Sequence, residues 1–268
     1  MTSHLKPKTI AIIPARYGST RLPAKLLIEV HGKSLIQHTY ENALKCGCLD
    51  RLLVATDDQR IYDMVEGFGG EVVMTSDNCR NGTERVEEAV SQISDIQPND
   101  IILNIQGDEP LLSSSIIESV VGVLQDSDAK MSTAITPYDF SGGDSSSDVK
   151  CVIDLEGYAL YFSRSLIPGC QKPEDQKQIQ YYKHIGIYGF RRQFLSEYSK
   201  LPSTPLQQAE SLEQLKALEH GHKIKTVIVE GVNIGVDTHD DVKLVEQYLC
   251  KQNTSSSQAE SVPPSEKD

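Results

Sequence analysis

The loop that follows the apolar run 9–14 has the residues needed to bind a polyanion. It carries three cations within ten residues, Arg16, Arg21 and Lys25, and small residues at 18–20 whose backbone N–H groups are accessible. Guanidinium groups and clustered backbone amides bind phosphate oxygens. The simpler alternative is a solvated basic turn. Since the chain has a formal net charge of -12 at pH 7, three cations concentrated here favour a triphosphate site.

Two common nucleotide-binding motifs are absent near this loop. A P-loop ending in Gly32-Lys33-Ser34 would need glycine at the position of Leu27. A dinucleotide fingerprint would need three spaced glycines, and only Gly18 stands there. The usual kinase, ATPase and dehydrogenase classes are therefore disfavoured.

Carboxylates suited to a hard metal ion follow two later segments. Asp108 and Glu109 come directly after the apolar run 100–105, and Asp237 precedes a predicted helix. Each has a simpler interpretation, because Asp108 suits a turn and Asp237 with Thr238 suits a helix cap. Brought together, Asp108 and Asp237 would give Mg²⁺ two carboxylates, with phosphate oxygens and water completing the shell.

The segment Gly82-Thr83-Glu84-Arg85 begins another predicted helix. Thr83 is a candidate ligand of the same cleft, although a threonine at a helix start is more often the N-cap. Arg85 suits either a phosphate contact or the protein surface.

Apolar strand-like runs alternate with amphipathic segments through the first half of the chain, which predicts a doubly wound, Rossmann-like α/β sheet that is mostly parallel. The second half is mixed, and its short connections predict antiparallel pairing at one side of the sheet. We predict strands at 9–14, 51–56, 71–74, 100–105, 131–138, 150–154, 159–163 and 184–190. We predict helices at 34–45, 58–67, 83–93, 114–124, 207–221 and 238–250. The Ser- and Pro-rich segment 251–268 predicts a disordered tail.

Composition restricts the class of protein further. The negative charge disfavours nucleic-acid and anionic-membrane partners, and no apolar stretch is long enough to span a bilayer. Six scattered cysteines without a CxxC pair fit reduced thiols, and no apolar run precedes the first strand. We therefore expect a cytoplasmic protein without membrane insertion.

Taken together, the motifs resemble those of the 3-deoxy-manno-octulosonate (Kdo) cytidylyltransferases, or CMP-Kdo synthetases. The resemblance covers nearly the whole chain up to residue 250. Its motifs, in chain order, are IIPARYGSTRLPAK (12–25), VATD (54–57), NGTERV (81–86), NIQGDEP (104–110), GYALYFSRSLIP (157–168), KHIGIYGF (183–190), SLEQLKAL (211–218) and GVDT (235–238).

The resemblance implies a nucleotide-diphospho-sugar transferase fold, CTP and Kdo as substrates, and CMP-Kdo for lipopolysaccharide biosynthesis as the product. It implies catalytic roles for Arg16, Lys25, Asp108 and Asp237, with Asp108 and Asp237 binding Mg²⁺. The implied nucleotide-binding set is Ala15, Arg16, Ser19, Arg21, Lys25, Thr83, Arg85 and Gln106. The implied sugar-binding set is Gln106, Arg164, His184, Tyr188, Glu213 and Gln214.

The resemblance also implies a homodimer built from one domain, residues 1–250, with a nucleotide-binding half (8–125) and a sugar-binding and dimerisation part (126–250). Two features depart from the family pattern, a short segment at 169–182 and the C-terminal tail. The alternatives are a cytidylyltransferase for a nine-carbon sialic-type acid and a nucleotide-sensing protein that binds CTP without turnover.

Overall fold

The computed structural model describes residues 6–18, 22–139, 143–231 and 234–259. The strands in these ranges are β1 (Thr9–Ala15), β2 (Glu29–Val30), β3 (Lys33–Ser34), β4 (Arg51–Thr56), β5 (Val72–Met74), β6 (Ile101–Ile105), β7 (Met131–Pro137), β8 (Lys150–Ile153), β9 (Ala159–Ser163), β10 (Tyr182–Arg191) and β11 (Lys225–Ile228). The α-helices are α1 (Leu35–Leu44), α2 (Gln59–Gly67), α3 (Gly82–Ser91), α4 (Ser114–Gln125), α5 (Arg192–Lys200), α6 (Pro205–Glu210), α7 (Leu215–Glu219) and α8 (His239–Ala259). Short 3₁₀ helices lie at Lys25–Leu27 and Pro173–Gln178.

Nine of these strands form one sheet whose main path runs β11-β7-β10-β6-β1-β4-β5, and β8 and β9 extend from β10. β1 pairs in parallel with both β4 and β6, and β4 pairs in parallel with β5. The predicted mostly parallel α/β sheet is confirmed. The carboxyl ends of β1, β4 and β6 therefore share one edge, which is where ligands bind on open sheets of this kind.

Alternation along β1 explains why helices cover both faces of the sheet. Ala11 and Ile13 are buried with α1, α2 and α4, while Ile10 and Ile12 are buried with α3 and α5 on the other face. Successive strand residues point to opposite faces, so a continuous apolar strand must be covered twice. A third, smaller apolar cluster packs α8 against β2 and α1.

The antiparallel pairs of this sheet lie on one side of it, as predicted, where β10 pairs with β6, β7 and β8 and β8 pairs with β9. The position of β10 between β6 and β7 was not predicted. Among the described strands and α-helices, β2, β3, β11 and α5 were not predicted. None of the described helices has the length and apolarity needed to cross a membrane.

The predicted helix 207–221 is wrong, because the structure has two short helices there, α6 and α7. Ser211 ends α6 in the left-handed conformation, with φ 52, and an α-helix cannot continue through such a residue. The helix predicted to end at 250 instead continues to Ala259. Residues 251–259 contain neither Gly nor Pro, so nothing in the backbone stops the helix there. The rest of the predicted tail, 260–268, lies outside the described residues.

Candidate active site

Lys25 joins two carboxylates at the carboxyl edge of the sheet. Its ammonium Nζ lies 2.6 Å from Asp108 Oδ2 and 3.1 Å from Asp237 Oδ1. Burial lowers the pKa of Lys25, but the two carboxylates outweigh burial and the net pKa is raised. The side chains of Asp108 and Asp237 thus converge on one point, although 129 positions separate them in the sequence.

Backbone contacts explain why the two carboxylates meet. Asp108 lies in the turn after β6, and its carbonyl oxygen accepts a hydrogen bond of 2.9 Å from Val236 N–H. Asp241 caps α8 by accepting from the N–H groups of residues 237 and 238 at 2.9 and 2.8 Å. The cap interpretation therefore applies to Thr238 and Asp241, and the Asp237 carboxylate is directed to Lys25 instead.

The donor chemistry of this pair suits a hard divalent cation. Asp108 and Asp237 supply carboxylate oxygens around a position that already holds a cationic group. Mg²⁺ is commonly bound through one or two protein carboxylates together with substrate phosphates. No group of three or more His, Cys, Asp or Glu side chains suited to a metal occurs among the described residues, so the remaining ligands of such an ion would come from phosphate and water.

The predicted phosphate loop is described only in part. Ala15 is buried at the end of β1, and Arg16 follows it with an exposed side chain. The Arg60 guanidinium lies 3.3 Å above the centre of the Tyr17 ring and also binds Asp58. Ser19 and Arg21 lie outside the described residues.

Thr83 lies in the first turn of α3 but is not the N-cap. The cap is Asn81, whose side chain accepts from Glu84 N–H at 2.9 Å. Thr83 is buried, and its hydroxyl accepts from Asn104 Nδ2 at 3.0 Å. Gln106 Nε2 donates to Asn104 Oδ1 at 3.4 Å. The amides and the hydroxyl form a chain from α3 to the turn that carries Asp108.

Arg85 is not a surface residue. Its guanidinium is 2.6 Å from Asp57 Oδ2 and 2.5 Å from Thr75 Oγ1, and the residue is buried. These contacts tie α3 to the carboxyl ends of β4 and β5. A role for Arg85 toward a nucleotide stays a prediction.

Four of the predicted sugar-binding residues lie together between β10 and α7. Tyr188 Oη donates to Gln214 Oε1 at 3.0 Å, and the rings of His184 and Tyr188 are 5.3 Å apart. Burial raises the pKa of the Glu213 carboxyl, and contact with Thr83 offsets part of the rise. The break after α6 explains this placement, because it lets residues 213 and 214 precede α7 with their polar groups buried.

His184 is a neutral imidazole in this cluster. The Thr133 hydroxyl donates its only hydrogen to the Ile187 carbonyl oxygen at 2.7 Å and therefore accepts from His184 Nε2, which is 2.8 Å away. This assigns the proton to Nε2 and leaves Nδ1 as an acceptor. Burial lowers the pKa of His184 to about 3, which keeps the ring uncharged at neutral pH.

Arg164 follows β9 and is held by backbone oxygens. Its Nε donates to the Glu210 carbonyl at 2.8 Å and its Nη1 to the Ser146 carbonyl at 3.0 Å. Phe162, two residues before Arg164, has its ring centroid 5.1 Å from that of His184, so Arg164 borders the cluster around His184. No hydrogen bond of the described residues joins Arg164 to that cluster.

The sequence reasoning missed Asn104 and Thr133, which link the cluster internally. Asn104 carried a detectable signal, because it is a polar residue within an otherwise apolar strand and is completely buried. Thr133 carried none, since threonine is ordinary in a strand.

Comparison with known proteins indicates the family of this chain. A family model described as "Cytidylyltransferase" matches residues 10–224. The 3-deoxy-manno-octulosonate cytidylyltransferase of Protochlamydia amoebophila (strain UWE25) is 50% identical over 91% of this chain and 95% of its own length. The 8-amino-3,8-dideoxy-manno-octulosonate cytidylyltransferase of Shewanella sp. (strain ANA-3) is 43% identical over 89% of this chain and 97% of its own length.

A solved structure of CMP:2-keto-3-deoxy-manno-octonic acid synthetase complexed with CTP is 38% identical to this chain. It superposes with a TM-score of 0.83, covering 91% of this chain and 99% of the solved one. The range of the family model, residues 10–224, includes Lys25, Asp108 and the His184 cluster and ends before Asp237. The chain belongs to the 3-deoxy-manno-octulosonate cytidylyltransferase family.

Proposed function

We propose that this chain transfers the cytidylyl group of CTP to Kdo, giving CMP-Kdo and pyrophosphate. One observation carries the proposal: an ion-paired cluster suited to phosphates and a buried polar cluster suited to sugar hydroxyls meet at residues 104–108. Membership of the family supports the same reaction.

In this reaction the C2 hydroxyl oxygen of the sugar attacks the α-phosphorus of CTP. The new oxygen–phosphorus bond forms while the bond from the α-phosphorus to the bridging oxygen breaks. Pyrophosphate leaves with that electron pair, and the proton of the C2 hydroxyl is released to water. Arg16 and Lys25 are the cations that we assign to the phosphate oxygens. Holding the two substrates in line and stabilising the charge are the main contributions expected from the protein.

We assign Asp108 and Asp237 as the protein ligands of Mg²⁺. When bound, Mg²⁺ supplies charge neutralisation at the phosphate oxygens. Without it, two carboxylates face the triphosphate, and Lys25 is paired with both of them. Pyrophosphate release that is lost with a chelator and restored by added Mg²⁺ would support the assignment, and undiminished turnover in the chelator would contradict it.

The sugar half presents unused hydrogen-bonding groups. Glu213 Oε2 and Gln214 Nε2 are buried and have no hydrogen-bond partner within the described part of the chain. A buried polar atom without a partner costs about 1–3 kcal/mol, and a polyhydroxy ligand offers both donors and acceptors. Together with His184 Nδ1, these atoms support a sugar pocket.

The test is pyrophosphate release with CTP and Mg²⁺ and one acceptor at a time. The acceptors are Kdo, 8-amino-3,8-dideoxy-manno-octulosonate and a sialic acid. The amino sugar is included because a relative that is 43% identical is named for it. Preference for Kdo supports the proposal, and preference for another acid would keep the cytidylyl transfer but replace the sugar. CTP binding without release by any acceptor would favour the nucleotide-sensing alternative.

The proposed homodimer has a candidate face. Leu155, Leu160 and Ile228 are large apolar residues that are exposed, and the bridge between Tyr158 and Lys225 brings their segments side by side. Light scattering of the purified protein, with Leu160→Asp as the disrupting variant, tests whether this face joins two copies. The cytoplasmic location, the use of the product in lipopolysaccharide biosynthesis and the division of the domain at about residue 125 stay predictions.

A further inference from the structure

Lys150 is a completely buried lysine outside the predicted site. It is the first residue of β8, and its side chain has 0% exposure. The ammonium donates to the carbonyl oxygens of Ser145 at 2.9 Å, Asp148 at 2.8 Å and Arg164 at 2.6 Å. It also pairs with Asp144 Oδ1 at 2.8 Å. Four oxygens from two separate segments thus surround one charge.

This arrangement fixes two backbone segments relative to each other. A buried ammonium is tolerated only when its hydrogens are all bonded and its charge is compensated. Lys150 meets both conditions only if the loop 144–148 and the carbonyl of Arg164 stay in place. The antiparallel register pairs Lys150 with Ser163, so the strand pairing itself brings Arg164 next to the ammonium.

The same loop also contacts the guanidinium of Arg164. Ser146, between two of the residues that bind Lys150, accepts from Arg164 Nη1 at 3.0 Å. Lys150 therefore acts on Arg164 in two ways. It binds the carbonyl oxygen of Arg164 directly, and it holds in place the loop 144–148, where the Ser146 carbonyl accepts from the Arg164 guanidinium.

We propose that Lys150 is a positioning residue for the acidic sugar, which sets the backbone and the guanidinium of Arg164 for binding the sugar carboxylate. The inference rests on the proposed function, in which Arg164 belongs to the sugar-binding set. Among the described residues, Lys150 contacts neither the Lys25 cluster nor a group assigned to the nucleotide, so we expect its effect to be specific to the sugar.

The experiment is a double-mutant cycle of Lys150→Met and Arg164→Ala, with KM measured separately for CTP and for the sugar acid that the wild type converts. Lys150→Met should raise KM for the sugar acid roughly tenfold or more, because small misplacements of a binding group are costly, and leave KM for CTP within about twofold. If Lys150 acts through Arg164, the double variant should be no worse than Arg164→Ala alone. Additive effects, equal rises in both KM values or an unchanged sugar KM would overturn the proposal.

Arg192→Met is the matched control. Arg192 forms a half-buried ion pair with Glu87 at 2.7 Å, at the end of β10 away from the candidate site. Its loss should lower the stability of the protein without raising KM for the sugar acid relative to KM for CTP.

If Lys150→Met does not fold, Asp144→Asn removes one ion pair at a more exposed position. It should raise the sugar KM about two- to fivefold with the same non-additivity, and an unchanged KM there overturns the proposal. A wild type that converts no sugar acid would refute the proposed function and this inference together, whereas normal turnover with an additive cycle would refute the inference alone.

Discussion

The neutral state of His184 makes a prediction about stability at acidic pH. The ring packs edge-on against Phe162, with centroids 5.1 Å apart, and its Nε2–H is used by Thr133. Protonation would place a charge on Nδ1 in a site where no carboxylate pairs with it among the hydrogen bonds of the described residues. His184→Gln removes the titrating ring and keeps an amide N–H that can reach Thr133.

The magnitude follows from the pKa. The folded state holds the pKa of His184 at about 3, against the ordinary 6.5, a difference that corresponds to about 5 kcal/mol. The unfolded chain binds the proton more readily, so stability falls as the pH falls below 6.5 and the loss is complete only below about pH 3. At pH 5.0 the loss is about 2 kcal/mol, or roughly 4–8 °C in Tm.

Urea unfolding at pH 7.5 and pH 5.0 measures this contribution. Other groups titrate in the same interval, so each protein is described by the fall in its free energy of unfolding between pH 7.5 and pH 5.0. We expect this fall to be about 2 kcal/mol larger for the wild type than for His184→Gln. His31→Gln, which removes an exposed imidazole between β2 and β3, controls for the loss of a histidine as such. Equal losses in the wild type and His184→Gln would refute the reasoning.

Three further predictions concern activity. Asp108→Asn should lower kcat/KM for CTP roughly 10²-fold. It should lower Tm by only a few degrees, because a partly exposed ion pair contributes about 1 kcal/mol or less. Full turnover at saturating Mg²⁺ would contradict the assignment of Asp108 to the metal. Arg60→Ala removes the cation above Tyr17 and should raise KM for CTP roughly two- to fivefold at constant kcat, as initial rates over a CTP series would show. Gly186→Ala would place a methyl group 3.0 Å from Gln106 Cγ, so we expect roughly a tenfold or larger fall in kcat/KM for the sugar. Unchanged sugar kinetics would show that the pocket absorbs the methyl group.

The sequence predicted those strands that form apolar runs and alternate along the chain with amphipathic helices. β1, β4 and β6 are continuous apolar runs, and runs of that kind separated by amphipathic helices form parallel strands with few alternatives. The same rule placed Lys25 and Asp108 at one edge before any contact was known. The position of β10 was not predictable in this way, because insertion of an antiparallel strand between β6 and β7 depends on long-range pairing that periodicity does not encode.

Single residues explain the remaining differences. Ser211 breaks a helix through its backbone conformation, although serine is an unremarkable residue within an amphipathic pattern. Arg85 and Lys150 are buried, and both residue types are almost always exposed unless paired. Their partners, Asp57 and Asp144, are 28 and 6 residues away, and only the tertiary structure shows that they pair.

The contacts of the cations suggest how an acidic chain can bind two anionic substrates. Lys25 and Arg85 are each paired with carboxylates, so their charge is largely compensated before any ligand arrives. The guanidinium of Arg164 instead donates to two backbone carbonyl groups, while the Glu210 carboxylate accepts from Ser163 Oγ and from the backbone N–H of Arg164. Hydrogen bonds to carbonyl groups orient a guanidinium without neutralising it. The Glu210 carboxylate is also close enough to interact electrostatically with Arg164. The charge of Arg164 is therefore only partly compensated, and its orientation toward the sugar carboxylate depends on Lys150, a cation that is itself fully used within the protein.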